Sequence, residues 1–174
     1  YKTGDVGRKK TTSAAFAIAQ SNPHVLCQTF DCRLTEANAR ELVAGFDIVV
    51  DCTDSIEARY ALSDACAAAG IAMVYGALHK FEGQVSVFCL PGTPCYRCYF
   101  GGGDVTAVPT CEAAGVLGVL PGIVGALQAN EVLKLILGLG DVLSGTVLFF
   151  DALNMQFRTM QLPVDKQCHC QGAV

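Results

Sequence analysis

Apolar and polar positions change rhythm several times along the chain. Residues 10–20 (KTTSAAFAIAQ) space their apolar positions as a helix does and stop at the turn signal Asn22-Pro23. Residues 24–31 (HVLCQTFD) alternate and predict a strand. Residues 35–46 predict a second helix, with Thr35 as N-cap and Asn38 where a capping box prefers Glu. The run 47–54 (DIVVDCTD) is short, continuously apolar and closed by polar residues. That pattern predicts a strand buried on both faces of a parallel sheet. Residues 55–69 then predict an alanine-rich helix closed by Gly70, and 71–78 (IAMVYGAL) a second buried strand.

Beyond residue 79 the pattern is different. EGQVSVFCLPG has the two-residue period of a strand and ends in a Pro-Gly turn. Residues 99–114 are glycine-rich, polar and long for a plain connection, a property of functional loops. Residues 115–139 are apolar enough to raise the question of a membrane span. Gln128, Asn130, Glu131 and Lys134 interrupt the second half, and Pro121-Gly122 the first. An ionised residue at mid-bilayer costs about 2.5–3.5 kcal/mol on insertion scales. The expectation is therefore a mostly buried helix of a soluble protein, with a polar stripe at 128, 131 and 134. Two strand-like runs follow, GTVLFFDA and QFRTMQLPV, before the ending DKQCHCQGAV.

Helix and strand alternate first, and antiparallel strands follow, which predicts an α/β fold with a doubly wound sheet. The 174 residues suit a single domain spanning 1–174. An apolar content of 52% against 16% charged residues excludes disorder as the main state. The net charge of −4 and the lack of a basic run give no support to a nucleic-acid surface. No GxGxxG and no P-loop occur, and the start YKTGDVGRKK has no apolar segment of a signal peptide. Ten cysteines in a chain with an ample core point to a reducing, cytoplasmic setting. Cys52, Cys66 and Cys89 lie in apolar runs, where a thiol is expected to act as a small buried hydrophobe.

Four constellations could carry chemistry. In DCTDSIEARY, Asp51 and Asp54 end a strand at the side of the sheet where doubly wound folds place ligands. A carboxylate there can hold Mg²⁺ against phosphates, or Asp54 can simply cap the helix beginning at Ser55. In DVGRKK the lysines precede a helix and carry the wrong sign for its dipole, which suits either a bound anion or a solvated basic turn. Cys95 and Cys98 in CYRC, with Cys168 and Cys170 in CHC, have the makings of a four-thiolate zinc site. The one-residue spacing of the second pair is tighter than usual and leaves His169 as a competing ligand; a CYRC redox disulfide and a site without metal are the alternatives. Cys111 sits just before a helix, where a thiol is either an activated nucleophile or an incidental loop cysteine. His24 and His79 have no partner by sequence and are expected to be structural.

DVGRKK, DCTDSIEARYALSDAC, GQVSVFCLPGTPCYRCYF, PTCEAAGVLGVLPGIVGALQANEVLKLILG and the terminal cysteine pair, in this order, resemble the ThiF/MoeB/HesA adenylyltransferases, prokaryotic relatives of ubiquitin-activating enzymes. The resemblance extends over essentially the whole chain. It implies a Rossmann-like doubly wound sheet with added antiparallel strands and a zinc knuckle. It also implies ATP- and Mg²⁺-dependent adenylation of the C-terminal Gly-Gly carboxylate of a ubiquitin-like sulfur-carrier protein. The adenylate is then converted to a thiocarboxylate for molybdopterin, thiamine or related pathways, with a cysteine desulfurase or rhodanese as sulfur donor.

By position, Lys10 matches the family lysine on the ATP phosphates and Asp54 the aspartate of the Mg²⁺-ATP site. Arg59 matches the arginine of D-x-x-D-N-x-x-x-R, with Ser55 where Asn is usual. Cys95, Cys98, Cys168 and Cys170 match the zinc ligands, and Cys111 the crossover-loop cysteine that some members use in sulfur transfer. The family's glycine-rich loop, ribose-binding acid and one phosphate-binding arginine precede the DVG segment. The chain is therefore expected to be the carboxyl-terminal part of a prokaryotic-type, homodimeric enzyme, and to bind ATP poorly alone. The alternative reading is a zinc-stabilised module that binds a carrier protein without catalysis.

Overall fold

The computed structural model describes residues 2–101, 115–168 and 170, in two compact units, Tyr1–Arg33 and Leu34–Val174. The first unit holds a 3₁₀ turn over Thr3–Asp5 and helix α1, Lys10–Ser21. Residues 24–31 do not form the strand that their alternation predicts. A strand needs a neighbour to pair its N–H and C=O groups, and the described residues of this unit hold no other strand.

The second unit is a mixed five-stranded sheet with helices, an α/β Rossmann-like arrangement. Its strands are β1 (Ile48–Asp51), β2 (Ala72–His79), β3 (Glu82–Phe88), β4 (Thr146–Asp151) and β5 (Gln156–Gln161). They lie in the order β1-β2-β3-β4-β5. β1 and β2 are parallel, with Ile48 opposite Ala72 and Asp51 opposite Tyr75, and the other pairs are antiparallel. The helices are α2 (Glu36–Val43), α3 (Ile56–Ala69), α4 (Tyr96–Phe100) and α5 (Leu120–Leu137). α2 starts at Thr35, whose backbone N–H donates to Asn38 Oδ1 at 2.8 Å, so Asn serves where Glu is usual. α3 ends at Gly70, whose φ of 67° is the left-handed value that glycine tolerates best.

Because side chains alternate along a strand, β2 serves two layers. Met73 and Tyr75 join the core built with Ala61, Leu62, Ala65 and Cys66 of α3 and Ala39 and Val43 of α2. The opposite face meets α5 at close range. A Cβ at Gly83 would lie 2.5 Å from Val124 Cγ2, and one at Gly76 2.5 Å from Gln128 Nε2. Glycine at 83 lets the helix come this close, and glycine at 76 leaves room for the Gln128 amide.

Two expectations need correction. β1 is not buried on both faces: Val50 is 43% exposed, because no described strand or helix covers that side. α5 is not mostly buried: Leu120 and Val124 pack inside, but three large apolar residues of its last two turns are left outside. Gln128 and Glu131 are buried, whereas Leu133, Ile136 and Leu137 are exposed. The polar stripe points inward because it has partners there. Gln128 Nε2 donates to the carbonyls of Asp51 and Val74. Glu131 Oε2 accepts from the Leu143 backbone N–H at 2.8 Å, and Oε1 pairs with Lys134 Nζ at 2.6 Å. Lys134 Nζ also donates to Asp141 O, so α5 holds the connection into β4. By length and composition alone α5 passes for a membrane span, but two buried hydrogen-bonding side chains aimed at the sheet are the work of a packed helix.

Replacing Glu131 by Ala should cost about 1–3 kcal/mol, because the half-buried Leu143 N–H loses its acceptor. Urea unfolding checks this, and a variant as stable as wild type would show that the 138–145 connection is held by other means.

Candidate functional site

The site begins with the way β1 ends. Asp51 is the last strand residue and is fully buried. Its Oδ1 accepts from the Thr53 backbone N–H at 2.8 Å and from Thr53 Oγ1 at 2.7 Å, which closes a tight Asx turn. Its Oδ2 faces Arg59 Nε at 3.4 Å, an ion pair almost wholly out of water. Arg59 Nη2 donates to the Thr53 carbonyl at 2.9 Å, and the guanidinium lies 5.5 Å from the centroid of the Tyr75 ring. Burial pushes the Asp51 carboxyl above its usual range, although Thr53 and Arg59 pull the other way. Asp51 and Arg59 thus form a buried lock on the 51–54 turn.

Asp54 is the residue the lock presents. It is exposed, and no described residue hydrogen-bonds to it or pairs with its charge. The helix cap is Ser55, whose Oγ accepts from Ala58 N at 3.1 Å, so the capping alternative for Asp54 falls away. Asp54, Thr53, Arg59 and Gln128 line a cavity of about 290 Å³ whose other wall is largely apolar, with Gly76, Pro121, Val124 and Gly125. Cys52 also lines it and is exposed, contrary to the expectation of a buried thiol, since β1 has already ended. Cys66 and Cys89 are buried as expected, and burial pushes both thiols up to about 12.

The second constellation is closed by the fold. The sulfurs of Cys95, Cys98, Cys168 and Cys170 all lie within 4.8 Å of one another. Cys95 Sγ is 3.9 Å from Cys98 Sγ and 3.5 Å from Cys168 Sγ, and Cys98 Sγ is 3.6 Å from Cys170 Sγ. Four sulfurs about 2.3 Å from a tetrahedral zinc ion stand about 3.8 Å apart. The measured spacings bracket that value, so the tight CHC spacing does not prevent convergence. Burial holds the Cys95 thiol well above its ordinary range and pushes Cys168 up to about 11. Thiols raised in this way stay protonated unless a cation among them offsets the charge of four thiolates. The described cysteines form no disulfide, and His169 lies outside the described residues.

Short helix α4 starts directly after Cys95, carries Cys98 and is fastened to α3. Arg97 makes a bidentate pair with Asp64, at 2.8 and 2.7 Å, and stacks 4.5 Å over Tyr60. Tyr60 Oη donates to the Gly101 carbonyl, and the Tyr96 N–H donates to Ser63 Oγ. Tyr96, fully buried, packs against Tyr60, Tyr75, Phe88 and Phe100. Among the described residues its hydroxyl has no hydrogen-bond partner, and burial pushes it up to about 12 while Arg59 pulls it down. One helix therefore serves both constellations, Arg59 toward the 51–54 turn and Tyr60, Ser63 and Asp64 toward the knuckle.

Lys10 opens α1 in the first unit and is exposed, following Lys9, which pairs with Asp31. Cys111 lies outside the described residues. The structural roles of Asp51, Tyr96, Asp64 and Gln128 were not singled out from the sequence. Gln128 carried a signal, a polar residue inside an apolar run; Tyr96 carried none beyond its place between two cysteines.

The ThiF family profile matches residues 1–172. The SAMP-activating enzyme E1 of Haloferax volcanii is 44% identical over 169 residues, covering 97% of this chain and 62% of the relative. The sulfur carrier protein adenylyltransferase of Thermus thermophilus is 41% identical over 178 residues, covering 99% of this chain and 66% of the relative. The chain thus spans less than two thirds of either of these relatives. Among solved structures, E. coli MccB with ATP superimposes with a TM-score of 0.81 at 14% identity, over 98% of this chain and 52% of MccB, a likeness of fold.

Arg59→Met should destabilise by about 3–5 kcal/mol near neutral pH, since it strands a buried charge. A carboxyl raised by burial ionises first in the unfolded chain. Its contribution to stability is therefore present below the ordinary carboxylate range and is lost as pH rises through the folded value. Removing Arg59 raises that folded value further, so the deficit should shrink as pH is lowered from about 8 to about 5. Urea unfolding across that range checks the sign; a deficit constant with pH would mean that Asp51 and Arg59 do not meet as charges.

Proposed function

The chain belongs to the ThiF family, and from that footing we propose that the full-length protein adenylates the C-terminal Gly-Gly carboxylate of a ubiquitin-like sulfur-carrier protein at the expense of ATP. The observation that carries this reading is the exposed Asp54 carboxylate, held at the mouth of a cavity by a buried lock. The names of the relatives support it: one activates SAMP and the other is a sulfur carrier protein adenylyltransferase. Formation of a thiocarboxylate for molybdopterin, thiamine or related biosynthesis belongs to the same proposal, with sulfur from a cysteine desulfurase or rhodanese. So does a cytoplasmic location, which suits described cysteines that form no disulfide.

In the reaction a carboxylate oxygen of the carrier bonds to the α-phosphorus of ATP. The bond from that phosphorus to the bridging oxygen breaks, and pyrophosphate leaves. Asp54 would hold Mg²⁺, which typically takes one or two carboxylates along with phosphate oxygens. The ion, when bound, supplies charge neutralisation on the phosphates. An exposed carboxylate with no described protein partner fits that role. By the family match alone, Lys10 is the residue proposed to neutralise charge on the phosphates. The four cysteines would hold Zn²⁺ in a closed, all-protein site, which makes the ion structural.

The proposal includes a homodimer. The outer face of α5 leaves Leu133, Ile136 and Leu137 exposed, and Leu139 follows, each more than half exposed. Apolar patches of this kind mark association surfaces.

Three outcomes test these statements in the full-length protein. Asp54→Ala should slow carrier-dependent ATP–pyrophosphate exchange by about 10²–10³; near-normal exchange would remove Asp54 from the site, and a wild type without exchange would favour the non-catalytic module. Metal analysis should find about one zinc per chain, with both metal and thermal stability reduced in Cys168→Ser; unchanged values would exclude the terminal pair from the site. Light scattering should report a dimer, and Ile136→Glu with Leu137→Glu should convert it to monomer; an unaffected dimer would move the interface elsewhere.

A further inference from the structure

The geometry points to Gln128 of α5 as a positioning residue for the Asp54 turn, tying the end of β1 to β2 at Val74 through one buried amide. Gln128 is 5% exposed, and its Nε2 donates to Asp51 O at 2.8 Å and to Val74 O at 3.2 Å. Asp51 O is the last strand carbonyl before the turn, and Val74 O belongs to the neighbouring parallel strand. A single NH₂ group therefore bridges two strands from a third element. The Asp51 side chain and Arg59 hold the turn from within, and Gln128 holds it from the opposite face of the sheet. The same residue lines the cavity that Asp54 faces.

Gly76 makes this contact possible. A Cβ there would lie 2.5 Å from Gln128 Nε2 and 2.6 Å from Oε1, too close for any real side chain. The amide thus lies flat on the strand at a position with no room for both an alanine and a glutamine. Leu or Met at 128 would fill the space, but neither could donate to the two carbonyls, which would then be buried without this partner.

The inference rests on the proposed adenylation only for what the turn does, and not for where it is held. The variants are Gln128→Met, which keeps bulk and removes both hydrogen bonds, and Gly76→Ala, which displaces the amide from outside. The double variant Gly76→Ala with Gln128→Ala relieves the clash without restoring the amide. In the full-length protein, Gln128→Met and Gly76→Ala should raise KM for Mg·ATP about tenfold or more in ATP–pyrophosphate exchange. The double variant should regain thermal stability relative to Gly76→Ala while its KM stays high. A fall in apparent kcat with KM unchanged is what a smaller folded fraction produces, and it would overturn the inference. So would a wild-type KM in the double variant. Where Gln128→Met does not fold, Gly76→Ala carries the same test. Amide hydrogen exchange supplies a readout free of the adenylation reading. The Thr53 amide, hydrogen-bonded to Asp51 Oδ1, should exchange at least tenfold faster in the folded variant, and an unchanged rate would overturn the positioning role even if the wild type showed no exchange of pyrophosphate.

Discussion

The ion pair between Asp51 and Arg59 is the contact on which the candidate site depends. A carboxylate with no exposed surface is costly to keep charged unless its partner and hydrogen bonds are close at hand. Here the partner comes from the first turns of α3, and the hydrogen bonds come from Thr53, two residues downstream. Arg59 closes the circuit by donating to the Thr53 carbonyl. With strand, turn and helix fastened at one point, the next residue, Asp54, is left to face the cavity. The two aspartates of one short motif therefore have opposite fates, one buried as a fastener and the other exposed along the cavity.

Helix α3 extends this arrangement to the cysteine cluster. Ser55 caps its start, Arg59 grips the turn, and Ser63 and Asp64 hold the segment carrying Cys95 and Cys98. Tyr96 lies in the aromatic core between these two ends, against Tyr60 and Tyr75. α5 works on the other face of the sheet with the same economy of parts: its buried Gln128 ties the end of β1 to Val74 of β2, and its buried Glu131 holds the approach to β4.

Much of this was legible because the relevant signals are local. The apolar run before Asp51, the Thr35 and Gly70 helix boundaries and the strands around 82–88 and 146–161 follow from short-range pattern and capping chemistry. Two cysteine pairs remote in sequence could be matched because a tetrahedral ion permits few spacings. What stayed hidden depends on tertiary partners. The alternation at 24–31 predicts a strand, but pattern cannot supply the neighbour a strand must pair with. The apolar richness of 115–139 suggested a buried helix, yet the helix turns Gln128 and Glu131 inward because backbone groups needing partners lie there. Capping propensity allowed Asp54 as the N-cap; the next residue, Ser55, took that role.

The buried Asp51–Arg59 pair shapes the turn that carries Asp54, the residue proposed to meet a magnesium nucleotide. Titration calorimetry of Mg·ATP against the full-length protein and its Arg59→Lys variant tests it most directly. Lysine keeps the charge but lacks the fork that reaches both Asp51 and the Thr53 carbonyl. The account predicts that affinity falls about tenfold or more, a loss of about 1.4 kcal/mol, while zinc content is unchanged. Wild-type affinity in a folded Arg59→Lys protein would contradict it.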